Sequence, residues 1–403
     1  MIFLRAYFYS VPNLRFSNLD KLMKVRLGDI CTITGGYAFD SHKMTQKGDY
    51  QIIKMGNLYN GIFDLSRNSS FINAPTKKEL EYLIQENDIL ITLTGTTNKK
   101  DYGYTVQMEQ PKNLLLNQRC ALIRASKVNE KYLFYLLNSN DFLKQFYASS
   151  TGGTGNQTNV SINDMLDFKV YISNENDQSK ISNILNALDK KILTQIKIIE
   201  LKQSLIKDIE DRILWKTTNA QTKPIREFLT EINDKSIIQN QYPLLSSTKK
   251  GLFLQTDYFN KEAASSNNIG YKIVHKGDII ISPQNLWMGN ITYNDKFDNG
   301  LVSPSYRIYK VKEEYNAFYI SRIMMSYRAL SLYKNISEQG ASIVRRNLNV
   351  DAFNELCFPI PNIKKQDEVG LFLSKLHQEL KCETWILMQL KNQKNYLLNK
   401  MFI

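Results

Sequence analysis

Between Gln178 and Trp215 the apolar residues recur every three and four positions, with no Gly and no Pro in the run. Leu185, Ile192, Ile199, Ile206 and Ile213 fall seven apart, and Ile181, Leu188 and Ile209 interleave them. Such a pattern lays one narrow apolar stripe on a helix and calls for a partner helix. At about 1.5 Å per residue the helix would be roughly 55 Å long, too long for one small domain. The partner lies 188 positions further on. Leu373, Leu380, Leu387, Lys394 and Met401, with Val369, Leu376 and Leu397 between them, repeat the stripe over Gln366–Phe402 in the same register. Two positions depart from it, Ile206 against Lys394 and Lys202 against Leu390. Gln195 and Glu383 interrupt both stripes at equivalent points near mid-helix, so an antiparallel pair would bring these two side chains together.

The segments before each helix follow a second pattern. LGDICTI, YQIIKM and DILITL are alternating or wholly apolar runs of strand length from Val25 onward. Lys131–Phe146 has helical spacing, with Asn129 as its cap. A polar Gly-rich loop follows at Ser150–Asn159, and Val160–Ile172 alternates like a last strand. The second half repeats this order. Asp278–Ser282 corresponds to Asp88–Thr92, Ser303–Lys310 to Asn117–Arg124, Ala317–Leu332 to the helical stretch, and Ser337–Asn347 to the polar loop. The expected fold is therefore α+β: two β-rich domains in pseudo-two-fold repeat, joined by two long antiparallel coiled-coil helices.

Charge sharpens this picture. The chain carries 52 Lys and Arg against 39 Asp and Glu, a net charge of +13, which favours an anionic partner, nucleic acid before others. A merely basic protein is the plainer alternative. Cys31, Cys120, Cys357 and Cys382 are scattered without a CxxC pair, so neither a metal site nor a disulfide framework is expected, and a reducing cytoplasm fits. No apolar run reaches the roughly 18 residues of a membrane span. The first residues, MIFLRAYFYSVPNLRF, faintly resemble a secretion signal, but Arg5 interrupts them; an arm packed on the following domain, or a start placed too early, is the preferred reading.

Catalytic signatures are missing from the sequence. There is no GxxxxGK[ST] loop, no Asn/Asp-Pro-Pro-aromatic motif, and no Gly-rich turn between a strand and a helix. Gly152–Gly155 would cradle phosphate only weakly, since a strand follows it. Glu79/Glu81 and Glu313/Glu314 read as solvated faces, and His42, His275 and His377 have no nucleophile or ligand spacing. The chain reads as a non-enzyme.

The order of these segments resembles the specificity (S) subunit of type I DNA restriction-modification systems. The similarity is carried by Leu27–Ser41, Ile52–Gly61, Asp88–Asn98 and Gly152–Val170, by the helices Gln178–Leu214 and Lys364–Phe402, and by Pro12–Phe16 in the arm. Lys223–Ser236 departs from it, lacking the Leu-Gly-Asp-Ile and Gly-Gly signals. The resemblance implies an arm over residues 1–24, target-recognition domains over 25–173 and 219–361, a central spacer helix over 174–218 and a distal one over 362–403. It further implies a cytoplasmic, non-catalytic subunit that reads a split target in double-stranded DNA, one half per domain, with the helices as a ruler. Two modification subunits bearing S-adenosylmethionine would methylate adenine, and two restriction subunits would use ATP and Mg. No cofactor is expected in this chain, and no membrane.

Asn and Gln suit adenine and Arg suits guanine, while Lys and Thr reach phosphates. In the first domain the candidates for DNA contact are Thr94, Thr96, Asn98, Lys99, Lys100, Arg119, Asn156, Gln157 and Thr158. In the second they are Gln284, Asn285, Trp287, Ser305, Arg307, Arg345, Arg346 and Asn347. The rival class is a coiled-coil adaptor that holds protein partners without reading DNA, and a second is an orphan DNA-binding relic without partner subunits. Steep salt dependence of duplex binding separates DNA reading from the adaptor.

Overall fold

The computed structural model describes residues 22–152, 156–217, 219–249, 251–258, 267–339 and 346–402. Nearly all of the N-terminal arm, the centre of the Gly-rich loop and Arg345 lie outside them. The described residues form two compact units, those of 1–194 with 387–403 and those of 195–386.

In the first unit the strands are β1 (Met23–Arg26), β2 (Cys31–Gly35), β3 (Tyr50–Ile53), β4 (Phe71–Ile72), β5 (Ile89–Thr92), β6 (Thr94–Thr96), β7 (Thr105–Gln107), β8 (Leu114–Leu116), β9 (Cys120–Ala125), β10 (Thr151–Gly152), β11 (Gln157–Asn159) and β12 (Lys169–Ile172). Its short helices are α1 (Lys77–Leu80), α2 (Glu130–Leu136), α3 (Asn140–Ala148) and α4 (Ile162–Asp167). The main sheet runs β2-β9-β5-β7 and a second runs β4-β3-β8. Every residue of β5 is buried, which is why Ile89, Leu90 and Ile91 are apolar in succession rather than alternating with polar residues. Strand β1 pairs antiparallel with β12, Met23 opposite Ile172, so the domain closes beside the start of the long helix α5 (Glu175–Trp215).

The second unit repeats the plan. Its strands are β13 (Gln221–Pro224), β14 (Leu229–Ile232), β15 (Leu245–Thr248), β16 (Gly251–Leu254), β17 (Lys272–His275), β18 (Ile279–Ile281), β19 (Ile291–Tyr293), β20 (Asn299–Val302), β21 (Arg307–Val311), β22 (Ser337–Gln339), β23 (Arg346–Leu348) and β24 (Cys357–Ile360). The helices are α6 (Ile225–Phe228), α7 (Gln255–Tyr258), α8 (Ala317–Met324), α9 (Tyr327–Asn335), α10 (Val350–Glu355) and the long α11 (Ile363–Met401). The sheet β14-β21-β18-β19 matches β2-β9-β5-β7, and β13–β24 matches β1–β12. Lys223–Ser236, where the sequence signals were missing, therefore folds in the same order as its counterpart.

Two local expectations need correction. Lys131–Phe146 is not one helix: Ser139 caps a new one by accepting from the Phe142 amide at 3.3 Å. Ser326 divides the second stretch likewise, through the Ala329 amide at 3.4 Å. Between Val160 and Ile172 the apolar Ile162, Met165 and Leu166 follow helical spacing, so α4 forms there and only Lys169–Ile172 is strand.

Helices α5 and α11 pack antiparallel. In the second unit Gln195 meets Glu383, Lys202 meets Glu379 and Glu383, and Glu210 meets His377, descending along α11 as α5 ascends. Ile181, Leu185, Leu188, Ile192, Ile199 and Ile206 are buried as the stripe required, with Val369, Leu373, Leu397 and Met401 on α11. Both departures from the stripe become ion pairs. In the first unit Lys394 reaches Asp189 at 2.6 Å, and in the second Lys202 reaches Glu383 at 2.8 Å.

The paired polar interruption also forms. Gln195 donates to a Glu383 carboxylate oxygen at 2.6 Å and to its carbonyl at 3.1 Å. A polar pair at a coiled-coil seam fixes register at a cost in stability. The double variant Gln195→Leu with Glu383→Leu is expected to unfold at equal or higher denaturant than the parent. Loss of more than about 1 kcal/mol would show that the pair stabilises as well as aligns.

Candidate nucleic-acid interface

The candidate residues of the first domain converge because β5 runs directly into β6, and β6 joins β11 and β10 in a three-stranded sheet. Thr94 lies opposite Asn159 and Thr96 opposite Gln157, so the two polar loops separated in sequence form one surface. Gly95 is required here: a Cβ would stand 2.3 Å from the Tyr102 ring. The threonines are framework rather than surface. Thr94 is buried and donates to Asn159 at 2.8 Å, and Thr158 is buried and donates to the Thr151 carbonyl at 3.1 Å. Thr96 donates to Asp101 through amide and hydroxyl, both at 2.7 Å. Burial works against the Asp101 charge, yet those two donors hold its carboxyl below the usual range.

What this framework exposes is Asn98, Lys99, Lys100, Asn156 and Gln157. The Lys100 ammonium sits 5.2 Å from the centre of the Tyr147 ring. Arg119, exposed just before β9, takes a φ of +71°, a conformation an L residue holds only when its surroundings impose it. The imposing contact is backbone, the Leu93 amide donating to the Arg119 carbonyl at 2.9 Å. Arg119 is thereby carried at the same end of the sheet as β6.

The second domain builds the equivalent edge with different chemistry. The hairpin β22–β23 sets Gln339 opposite Arg346 and Glu338 opposite Asn347, and the Arg346 amide donates to the Gln284 carbonyl at 3.2 Å. The Arg346 guanidinium lies 5.7 Å from the Trp287 ring centre and donates twice to the Ser337 carbonyl, at 2.6 and 3.1 Å. Gln284, Ser305 and Asn347 are exposed, whereas Asn285 is half-buried. Arg307 is turned to Glu231 at 2.6 Å and is partly committed to that ion pair. Arg345 lies outside the described residues.

Two further polar residues lock each domain to its helix and carried no functional signal in the sequence. Gln178 accepts from the Asn129 amide at 3.0 Å and donates to the Ser173 carbonyl at 2.8 Å. Gln366 accepts from the Asn316 amide at 3.0 Å and donates to the Pro361 carbonyl at 2.8 Å. Identity at the repeat offset was the available clue. Among the described residues no three His, Cys, Asp or Glu side chains gather as a metal site, and no helix is long and apolar enough to cross a membrane.

Two β-rich domains are each followed by one of a pair of long antiparallel helices, and each carries a polar sheet edge. Over the whole chain the fold is similar to that of an S subunit of a type I restriction-modification system from M. genitalium, with 16% identity, a TM-score of 0.57, and 97% of this chain and 98% of that chain covered. A second solved chain, from a study of complex assembly and conformational transition of the type I R-M system, has 14% identity and a TM-score of 0.54 over 94% of this chain and 97% of that chain. Residues 20–203 match the type I restriction modification DNA specificity domain. No curated protein is significantly similar to it in sequence.

Proposed function

We propose that this chain is a non-catalytic DNA-specificity subunit that reads a bipartite target, one half per domain, and positions adenine-methylating subunits on it. The observation that carries the reading is the repeated sheet edge: Asn98, Lys99, Lys100, Asn156 and Gln157 in one domain, Gln284, Ser305, Arg346 and Asn347 in the other. Amide side chains and cations on equivalent edges of a basic chain suit base edges and phosphates, and the difference in their chemistry suits two unlike half-sites. S-adenosylmethionine, ATP and Mg would belong to the partner subunits.

The long helices supply the surface for those partners. Leu201 and Leu205, one turn apart on α5, are 71% and 59% exposed, and Trp385 on α11 is 59% exposed. Apolar side chains of this size left on polar helices mark protein contacts rather than DNA contacts. Two modification subunits, with two restriction subunits joining them, are the proposed complement.

The test is a transplant. Residues 25–173 are replaced by the equivalent segment of a related subunit, and methylated adenines are mapped across the genome of cells carrying the hybrid with its modification subunit. One half of the methylated motif should change and the other should stay. A hybrid that altered both halves would end the one-domain, one-half reading. Methyl transfer by the purified chain alone with S-adenosylmethionine would end the non-catalytic reading.

A further inference from the structure

In the first domain, residues 54–70 between β3 and β4 form a loop folded around a polar centre. Asn57 is fully buried. Its amide nitrogen donates to the Asp64 carbonyl at 2.8 Å and to the Arg67 carbonyl at 2.6 Å, and its oxygen accepts from the Lys54 amide at 2.9 Å. Gln51, also buried, donates to the Leu65 carbonyl at 2.7 Å. What this locked loop presents is a turn. Tyr59 (φ −58°, ψ 128°) and Asn60 (φ 58°, ψ 31°) take the central positions of a type II turn, whose second residue needs a positive φ that Asn tolerates. Tyr59 is 54% exposed, and Asn60 is exposed beside it. The Tyr59 ring is held in place by the Tyr104 ring, edge-on at 5.6 Å, and by the Arg67 guanidinium, 5.8 Å from its centre.

Backbone bonds fix where the turn stands. The Thr92 amide donates to the Tyr104 carbonyl at 3.1 Å, so Tyr104, and Tyr59 with it, sits where β5 passes into β6. The next amide, that of Leu93, is the one that reaches the Arg119 carbonyl. The turn is therefore continuous with the candidate edge, where Lys99, Lys100 and Arg119 are exposed cations. The acids nearby are already engaged. Asp64 accepts from the Ser66 amide at 2.9 Å and hydroxyl at 2.6 Å and pairs with Arg67 at 3.1 Å, while Asp101 is held by Thr96.

We propose that the Tyr59–Asn60 turn is a base-reading element for the first half-site, with the Asn60 amide on a base edge and the Tyr59 hydroxyl on an adjoining phosphate. The proposal rests on the first domain being a DNA reader. Ile62, 56% exposed beside the turn, would also suit a protein contact. DNA is the occupant because the turn adjoins three exposed cations and the amides of Asn98 and Gln157 on one continuous surface. An Asn amide bonds adenine N6 and N7 together, and a Tyr hydroxyl reaches a phosphate without adding charge. A loop locked before binding also loses little conformational freedom on docking.

The test is repeated selection of random-sequence duplex on the full chain, run in parallel for the parent, Asn60→Gly and Tyr59→Phe. Glycine keeps the positive φ of the turn, and phenylalanine keeps the ring between Tyr104 and Arg67, so neither variant disturbs the loop. Asn60→Gly should lose its preference at one base pair of one half-site by about tenfold, with the other half unchanged. Tyr59→Phe should select the parental motif but bind it about fivefold more weakly, with the same dependence on KCl, since a neutral contact releases no counterion. Asn60→Gly selecting the full parental motif, or Tyr59→Phe binding with parental affinity, would overturn the proposal. So would variants that keep the motif and affinity but no longer bind the modification subunit. A parent chain that enriches no duplex would instead sink the DNA-reading function itself, and the role of the turn with it.

Discussion

Glu210→Ala is expected to be the most damaging single substitution among the polar residues of the second unit, costing about 3–5 kcal/mol. Glu210 is buried, and Arg322 grips both its oxygens at 2.6 and 2.9 Å while His377 Nε2 lies at 2.8 Å. Removing the carboxylate strands the Arg322 guanidinium between α5 and α8 with no counter-charge, and that desolvated cation is the source of the loss. Urea unfolding followed by a signal from Trp215, which donates to Ser326 at 2.8 Å in the same unit, measures it. A loss under about 1 kcal/mol would show that water or a neighbouring acid reaches Arg322.

The same group predicts a pH dependence. Burial opposes the Glu210 charge, but the bonds from His377 and Arg322 outweigh it and hold its carboxyl below the usual range. A carboxyl whose folded value is depressed stabilises fully above its unfolded value, near 4.3, and that stabilisation is lost as pH falls through the folded one. The second unit should therefore hold its Glu210 contribution through neutral and mildly acid pH and shed it below about 4. Glu210→Gln should flatten that part of the profile. The first unit meets the same structural need with Tyr135, which donates to Asp189 at 2.9 Å, and Lys394 on the same carboxylate. Burial and Asp189 push the Tyr135 phenol up, so no comparable acid limb is expected from the phenol.

Gln178→Ala and Gln366→Ala form the second pair of large effects. Each buried amide satisfies one backbone donor and one backbone acceptor at the junction of a domain with its helix. Truncation leaves both backbone groups unpaired, at about 1–3 kcal/mol each. Gln178→Ala should loosen the first unit and Gln366→Ala the second, each by about 2–5 kcal/mol, with little effect on the other. Hydrogen exchange at the Asn129 and Asn316 amides reports them separately. Gln→Glu at either site keeps the acceptor but loses the donor, and should cost less than alanine only if the carboxyl takes up a proton. Equal protection in parent and alanine variants would mean the two amides are paired elsewhere.

Much of the architecture was legible in the chain because it is written in local periodicity. A heptad stripe needs only the residues within it, so the stripes of α5 and α11 and their 188-residue offset could be read directly. The wholly apolar Ile89–Ile91 and Ile279–Ile281 likewise announced the central strands of two sheets. The candidate edge was legible as a list of loops but not as a surface. Thr94, Thr96 and Thr158 have the same residue type as a phosphate contact, and only the pairing of β6 with β11 turns their hydroxyls inward. Tertiary structure decided the rest for one physical reason: the groups concerned meet across long stretches of chain. The stripe departures Lys394 and Lys202 looked like defects until Asp189 and Glu383 stood beside them. Glu210 is singled out only by the fold, where Arg322, 112 residues away, and His377, 167 away, close on it. Ile237 and Ile238 face outward because Ser236 and Asn268 are turned inward, bonded to each other across 32 residues of chain.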